Sequence, residues 1–236
     1  AGKGLLKPKL SDIVDLFVKS GCEVVIYPTQ SYHDAYKKVK RYEEDYDIVV
    51  CSGGDGTLDE VVTGMMKRGG KTPVGYIPTG TTNDFANSLH IPKDLLSAAD
   101  AAVNGLVGSE MCIRDRFNDD YFVYVAAFGL FTDVSYQTKQ EMKNMLGHLA
   151  YVMEGAKRLF DIPSYHVRVE YDGNDIEDDF VFCSVTNSRS MGGFRNMFGH
   201  EVEFDDGEFE VTLVRSPKNL LEMQSIVTSL MSKEKN

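Results

Sequence analysis

The stretch from Ile48 to Asp84 constrains the fold more than any other part of the chain. It opens with an apolar run, residues 48–51, and a glycine-rich turn, residues 52–57. Apolar residues then recur at helical spacing, at Leu58, Val61, Val62, Met65 and Met66. The pattern therefore predicts a strand, a turn and a helix. A second strand, residues 74–77, leads into a Gly- and Thr-rich turn and then Asn83 and Asp84, which predict a helix cap.

The two turns have the features of a phosphate-binding crevice. Gly53, Gly54 and Gly56 let the backbone approach a ligand closely. The helix start that follows offers N–H groups without intrahelical partners and the positive end of the helix dipole. Turns at the ends of neighbouring parallel strands face one crevice, where open α/β sheets bind their ligands. The alternative is a pair of tight strand-to-helix connections that bind nothing.

Two familiar phosphate motifs do not fit the first turn. Asp59 stands where the fingerprint G-x-G-x-x-G has its third glycine, and no G-x-x-x-x-G-K-[ST] occurs. Asp55 and Asp84 carry negative charge beside the turns, so their use in phosphate binding implies an intervening Mg²⁺ or a water bound to it. Ordinary turn and cap chemistry is the alternative for both carboxylates, and more so for Asp84.

These motifs resemble the diacylglycerol kinase catalytic-domain superfamily, which includes soluble bacterial diacylglycerol kinases and sphingosine kinases, with NAD kinases as distant relatives. Residues 53–60 match its G-G-D-G-T-x-N-E, with Asp59 where Asn is usual, and residues 78–85 match its P-x-G-T-x-N-D-F. The resemblance implies a kinase that transfers the γ-phosphate of ATP to a lipid hydroxyl with Mg²⁺, and diacylglycerol is the first acceptor expected. NAD kinase, and a nucleotide- or lipid-binding module without turnover, are the alternatives.

The resemblance also assigns residues. Asp55 is the catalytic residue, while the general base, a D-G-E motif, is expected beyond Asn236. The lipid acceptor is assigned to Gly192, Gly193 and Phe194. A structural Mg²⁺ is assigned to Asp206, with backbone oxygens around Glu203 and Glu208, although this D-D-G-E run also fits a plain hairpin turn. The nucleotide is assigned to Ala1, Gly2, Thr29, Gly53, Gly54, Asp55, Gly56, Thr57, Leu58, Asp59, Glu60, Thr81 and Asp84.

We predict two domains from the change in pattern along the chain. Residues 1–118 form a doubly wound α/β nucleotide-binding domain without its N-terminal strand, with a helix capped by Ser11, a strand over residues 23–27 and helices over residues 31–46 and 95–104. Residues 119–236 form an antiparallel, β-sandwich-like domain, incomplete at its C terminus, with a helical insertion at residues 139–160. Residues 107–116 have no clear period and are interpreted as non-native sequence without function.

Composition and charge limit the kinds of partner that the protein is expected to bind. The chain has 236 residues and a net charge of −11, which argues against general nucleic-acid binding. No apolar run reaches the length of a transmembrane helix, so membrane contact is predicted to be peripheral. Four widely spaced cysteines indicate neither a disulfide framework nor a zinc site. A cytoplasmic protein acting transiently at the inner membrane face, with a possible homodimer, is expected.

Overall fold

The computed structural model describes residues 6–42, 46–105, 115–130, 132, 163–188, 190–191, 194–195, 202 and 206–232. The chain divides into two compact units, residues 1–123 and 124–236. The division therefore falls after Val123, a few residues beyond the boundary expected from the sequence. Each unit is described by itself.

The first unit is built on two parallel strands. β1 (Val49–Gly53) pairs with β2 (Val74–Pro78) in a register that runs from Val49 opposite Val74 to Gly53 opposite Pro78. Strands covered on both faces are continuously apolar, which explains the unbroken runs that the sequence shows here. Because the two strands end level, the turns that follow them are neighbours.

Helices cover this sheet. α1 (Leu10–Lys19) and α5 (Leu95–Asn104) pack together over β2, and the small side chains of Ala98 and Ala99 allow close approach. Their common core also contains Ile13, Phe17 and Ile77. The other helices are α2 (Asp34–Arg41), α3 (Asp55–Lys67) and α4 (Asp84–Ser88), with α3 packed on β1 and α2 packed on α3.

Three predictions for this unit were wrong. Residues 23–27 form no strand with any described residue, and Val25 and Ile26 are 61% and 50% exposed. A strand needs a neighbour to pair its backbone groups, and apolar alternation cannot report whether one is present. Ser11 lies inside α1, which begins after Lys9 and has no side-chain cap. The described part of α2 is shorter than the predicted helix because His33, in the left-handed region, precedes it and Tyr42 ends it in an extended conformation.

A short hairpin closes the first unit. β3 (Arg116–Phe117) pairs with β4 (Asp120–Tyr121), and Asn118 takes the positive φ of 55° that the tight turn needs. The hairpin packs against α3. It leads directly to Phe122 and Val123, both of which are buried.

The second unit is an antiparallel sheet around one long strand. β7 (Asn174–Thr186) pairs with β6 (Tyr165–Tyr171) along its first half and with β5 (Val125–Gly129) and β10 (Glu210–Arg215) along its second half. The second half of β7, which has a paired strand on each side, is buried from Phe180 to Ser184. The remaining described elements are β8 (Ser190–Met191), β9 (Phe194–Arg195) and α6 (Leu220–Ser232).

The predicted fold class, an α/β part followed by a mainly antiparallel β part, is confirmed. The predicted helical insertion at residues 139–160 lies outside the described residues, as do most of residues 107–116. Within the described segments, no helix combines the length and the apolarity that a membrane span requires.

Candidate active site

The two turns predicted to bind phosphate touch each other through their backbones. The N–H of Thr79 donates to the carbonyl of Gly53 over 2.8 Å. A Cβ atom built on Gly80 would lie 2.5 Å from the Cα of Gly54, and one built on Gly54 would lie 3.2 Å from the Cα of Gly80. Gly80 therefore requires glycine because the first turn occupies the space, and a side chain at Gly54 would press on the backbone of the second turn.

Gly56 needs a different explanation. It lies in the first turn of α3, it is exposed, and a Cβ there would meet nothing within 4 Å. Glycine inside a helix costs about 1 kcal/mol relative to alanine. Its own packing does not account for that cost, so the open surface beside Gly56 is where a ligand could approach the unpaired N–H groups of the helix start. Gly53 is different again, since a Cβ there would collide with the side chain of Thr57.

Asp55 joins the two turns. Its Oδ2 accepts the backbone N–H of Asp84 over 3.0 Å, and its Oδ1 accepts that of Phe85 over 3.1 Å. These are the first N–H groups of α4, which Asn83, at the cap position, does not cap through its side chain. Burial raises the pKa of Asp55 above that of an ordinary carboxyl group, and the bonds from Asp84 and Phe85 oppose the rise. One partly buried carboxylate therefore holds the start of α3 against the start of α4.

Asn83 closes the second turn instead of capping α4. Its φ is 51°, in the left-handed region that Asn tolerates well. Its Oδ1 accepts the N–H of Gly80 over 2.9 Å, and its Nδ2 donates to the carbonyl of Gly80 over 3.0 Å. The hydroxyl of Tyr76 donates to the carbonyl of Gly53 over 3.2 Å and also contacts Asn83 Oδ1. Thr81, at the tip of this closed turn, is exposed.

A cavity of about 430 Å³ opens on one side of the second turn. Thr81, Thr82 and Asn83 form one wall, and the side chains of Lys9 and Lys93 add positive charge to its lining. Asp94 also lines it, but its carboxylate is engaged by the N–H and hydroxyl of Ser97 at the start of α5. The lining thus combines hydroxyl and basic groups with the apolar side chains of Ile91, Leu95 and Leu96, next to the second predicted phosphate turn.

Glu60 anchors the loop that carries Thr29. Its Oε1 accepts the backbone N–H of His33 over 3.0 Å, and His33 has a φ of 60°, a conformation that needs such support. The same loop is fixed from the other side by Asp34, whose carboxylate accepts the N–H of Gln30 over 2.7 Å and the hydroxyl of Tyr27 over 3.1 Å. Thr29 itself is exposed between these anchors.

We expect Glu60→Ala to weaken Mg-ATP binding about three- to tenfold. The substitution removes the acceptor of the His33 N–H, and a lost hydrogen bond to a charged group is worth roughly 1.5–3 kcal/mol, part of which appears as loosening of the Thr29 loop. Glu60→Gln is the matched control, since its amide oxygen can still accept. Calorimetric titration with Mg-ATP measures the difference, and equal affinities for Ala and Gln would contradict the anchoring role.

The fit of an ATP–Mg²⁺ complex rests on these donors. At the start of α3 the N–H of Thr57 already donates to the carbonyl of Gly54 over 3.0 Å, so the N–H groups of Asp55 and Gly56 are the ones that can donate to phosphate. The hydroxyls of Thr57 and Thr81 can also donate. Each Asp55 oxygen uses one lone pair on a backbone N–H, which leaves a second lone pair for a water bound to a cation. The residues present therefore suit a nucleotide with a hydrated divalent ion.

Other predicted site residues have different surroundings. The side chain of Leu58 is 1% exposed and belongs to the core, and Asp84 is equally buried. Asp59 is partly buried, and this burial is the main cause that raises its pKa to about 6. Ala1, Gly2, Gly192, Gly193 and Glu203 lie outside the described residues, and of Phe194 only the backbone in β9 is described.

The D-D-G-E run forms a tight turn in its described part. Asp206 Oδ1 accepts the N–H of Glu208 over 2.9 Å, and Gly207 has a φ of 80°. Burial raises the pKa of Glu210, and the charges of Asp206 and Glu208 raise it further. Among the described residues, no group of three or more His, Cys, Asp or Glu side chains is arranged to hold a metal ion. The assignment of a structural Mg²⁺ to Asp206, Glu203 and Glu208 stays a prediction.

Sequence reasoning missed three features of this site. The hydrogen bond of the Tyr76 hydroxyl was the easiest of them to predict, because a buried Tyr in an apolar strand needs a hydrogen-bond partner. The other two features are the capping of α4 by Asp55 and the positions of the basic side chains of Lys9 and Lys93 in the cavity lining. Both depend on contacts between segments that are distant in the chain. No local pattern reports such contacts.

Comparison with known proteins places these features in a family. The family model described as "Diacylglycerol kinase catalytic domain" matches residues 1–110, which contain both turns. Proteins named diacylglycerol kinase from Staphylococcus aureus strains JH9 and Newman are 35% identical over 229 residues, covering 97% of this chain and 71% of theirs.

Solved structures give the same result for the fold. A crystal structure of a diacylglycerol kinase from Bacillus anthracis str. Sterne matches with a TM-score of 0.70 and 24% identity, covering 99% of this chain and 75% of that one. A second structure from the same organism reaches a TM-score of 0.73 at 25% identity, with coverages of 99% and 77%. The family model contains both motif turns, and a diacylglycerol kinase 35% identical to this chain matches 97% of its residues. This chain therefore belongs to the diacylglycerol kinase family of enzymes.

Proposed function

We propose that this protein transfers the γ-phosphate of ATP to a hydroxyl group of a lipid, with diacylglycerol as the first acceptor to test. The observation that carries the proposal is the position of Asp55, which holds two helix starts and two glycine turns together. The names of the relatives support the lipid acceptor.

The reaction needs little covalent chemistry from the protein. The lipid oxygen attacks the γ-phosphorus, the bond between that phosphorus and the β,γ-bridging oxygen breaks, ADP leaves, and the acceptor proton passes to a general base. Bound Mg²⁺ would neutralise the phosphate charge. The start of α3 and the Thr81 turn would hold the phosphates, while Asp55 keeps both elements in register for in-line transfer.

Acting on a lipid requires access to a membrane surface. We propose that this access is provided by peripheral attachment to the membrane. We place the reaction on the cytoplasmic side, at the inner face of the membrane, where ATP is available. The homodimer expected from the sequence stays a prediction.

The test is transfer of labelled γ-phosphate from Mg-ATP in mixed micelles, using the protein as its gene encodes it. Diacylglycerol and NAD are offered as parallel acceptors, and Asp55→Ala serves as the inactive control. We expect labelled phosphatidic acid from the native protein and none above background from the variant. Label on NAD would overturn the lipid assignment, and equal transfer by the variant would overturn the site.

A further inference from the structure

The cavity beside the second turn has the size of a small-molecule site. Its volume of about 430 Å³ lies within the range of roughly 300–1,000 Å³ that is usual for such sites. Of the described residues that line it, none belongs to the first turn or to α3. Thr81 lines it and is also predicted to bind nucleotide phosphate. The cavity therefore adjoins the proposed phosphate site at the start of α3 without including it.

The lining of the cavity is partly apolar. Ile91, Leu95 and Leu96 line it and also pack on the core between α1 and α5, so the fold holds these side chains in place. Thr81 and Thr82 add hydroxyl groups. Removing apolar surface from water favours binding. A ligand that fills the cavity is therefore expected to have an apolar part as well as a polar one.

One lysine in the lining is available to an anion. Lys9 pairs with Asp12 over 3.2 Å. The carboxylate of Asp94, which also lines the cavity, accepts the N–H and the hydroxyl of Ser97, each over 2.9 Å. Lys93 makes no ion pair with any described residue. Because the chain as a whole carries a net charge of −11, an unpaired cation in a recess marks a place where an anion is locally favoured.

A phosphate monoester matches these groups. It carries a charge of about −1.5 to −2 at pH 7 and three acceptor oxygens. The ammonium group of Lys93 has three donors, and the hydroxyls of Thr81 and Thr82 have one each. The terminal phosphate of a nucleotide and the phosphate of a phosphorylated lipid both offer this chemistry. The apolar side chains favour the lipid, because a triphosphate tail has no apolar surface to bury.

We propose that the cavity binds the headgroup of a phosphorylated lipid. Lys93 and the hydroxyls of Thr81 and Thr82 bind the phosphate, and the apolar side chains of residues 91, 95 and 96 contact the part of the lipid next to it. This occupant is of the class that the proposed reaction forms, so the inference rests on the proposed function. The cavity would then retain the product beside the second turn after transfer.

The experiment is calorimetric titration of the protein as its gene encodes it with three probes. Dihexanoyl phosphatidic acid, used where it is monomeric, carries both the phosphate monoester and the chains. Glycerol 3-phosphate has the monoester without the chains, and dihexanoyl phosphatidylcholine has the chains without the monoester. The native protein is compared with Lys93→Gln and with the control Lys71→Gln. Lys71 is an exposed lysine beyond the end of α3, and it does not line the cavity.

We expect the phosphatidic acid to bind the native protein at least tenfold more tightly than either of the other probes. Lys93→Gln should weaken that binding about five- to thirtyfold, because it removes a charge-assisted hydrogen bond. Lys71→Gln should bind as the native protein does. Equal affinity of the native protein and Lys93→Gln for the phosphatidic acid would overturn the proposal. Equal affinity for glycerol 3-phosphate and the phosphatidic acid would also overturn it, since the apolar side chains would then contribute nothing.

Repeating the titration with saturating Mg-ADP distinguishes the two sources of phosphate. A Kd for the phosphatidic acid that changes by less than about threefold supports a lipid site next to the nucleotide site. Complete displacement by Mg-ADP, together with weaker Mg-ADP binding in Lys93→Gln, would assign the cavity to the nucleotide and overturn the proposal. If no lipid accepts phosphate from ATP, the proposed function fails, yet these titrations still decide whether the cavity binds a phosphorylated lipid.

Discussion

Replacing Asp55 by Ala should lower transfer activity by about 100-fold or more and lower Tm by roughly 10 °C. The substitution leaves the N–H groups of Asp84 and Phe85 without their acceptors at the buried start of α4. Hydrogen bonds to charged groups contribute roughly 1.5–3 kcal/mol each. Because the substitution also removes the desolvation cost of the Asp55 charge, a net loss of about 2–4 kcal/mol is expected from the two bonds. A loss of this size in a domain of this length corresponds to a Tm shift of the stated order.

Asp55→Asn is the control for this prediction. Its amide oxygen can accept one of the two N–H bonds, whereas its NH₂ group faces another donor, so about half of the stability loss should return. Transfer activity should stay low in Asp55→Asn, because the proposed water-bridged cation contact needs the charge. Thermal unfolding and the micelle transfer assay give the two readings. Full activity in either variant would contradict the role assigned to Asp55.

Replacing Gly56 by Ala should separate binding from stability. A Cβ at Gly56 meets nothing within 4 Å, so the protein itself accommodates the methyl group. Alanine is favoured over glycine inside a helix by about 1 kcal/mol, and Tm should therefore rise by a few degrees. Affinity for Mg-ATP should nevertheless fall at least tenfold, since the methyl group occupies the surface that we expect a phosphate to approach. Calorimetry and thermal unfolding measure the two effects.

Gly69→Ala is the comparison for Gly56→Ala. Gly69 also has open space around it, but its φ is 79° and it lies beyond the C-terminal end of α3. Alanine there should strain the backbone and lower Tm without changing Mg-ATP affinity. Unchanged affinity in Gly56→Ala would mean that phosphate binds elsewhere and that the open surface at α3 has another use.

The sequence predicted the elements whose patterns are local. α3 and α5 have clear helical spacing, and α5 was predicted with the bounds that the structure shows. The strands β1 and β2 were predicted to within a few residues because each is a continuous apolar run next to a Gly- or Pro-marked turn. Residues 23–27 have a similar composition, yet they form no strand with any described residue.

The candidate site was predicted at the level of its turns but not of its contacts. The motif residues Gly54 and Gly80 were recognisable, whereas their contact follows from the register of β1 and β2. Asp55 was predicted to be functional, and its bonds to the start of α4 add a structural role. The bond between Glu60 and His33 joins residues far apart in the chain, and helical periodicity carries no information about it.

Because Gly54 and Gly80 are in contact, we expect the effects of substitutions at these two positions on stability to be coupled. Substitutions at sites that share no partners change the free energy of unfolding additively, but sites in contact do not. Once a side chain at Gly80 has pushed the two turns apart, a second one at Gly54 meets space that has already opened. The double variant should therefore be less unstable than the sum of the single variants, so that the tolerance of Gly54 to substitution depends on the residue at position 80.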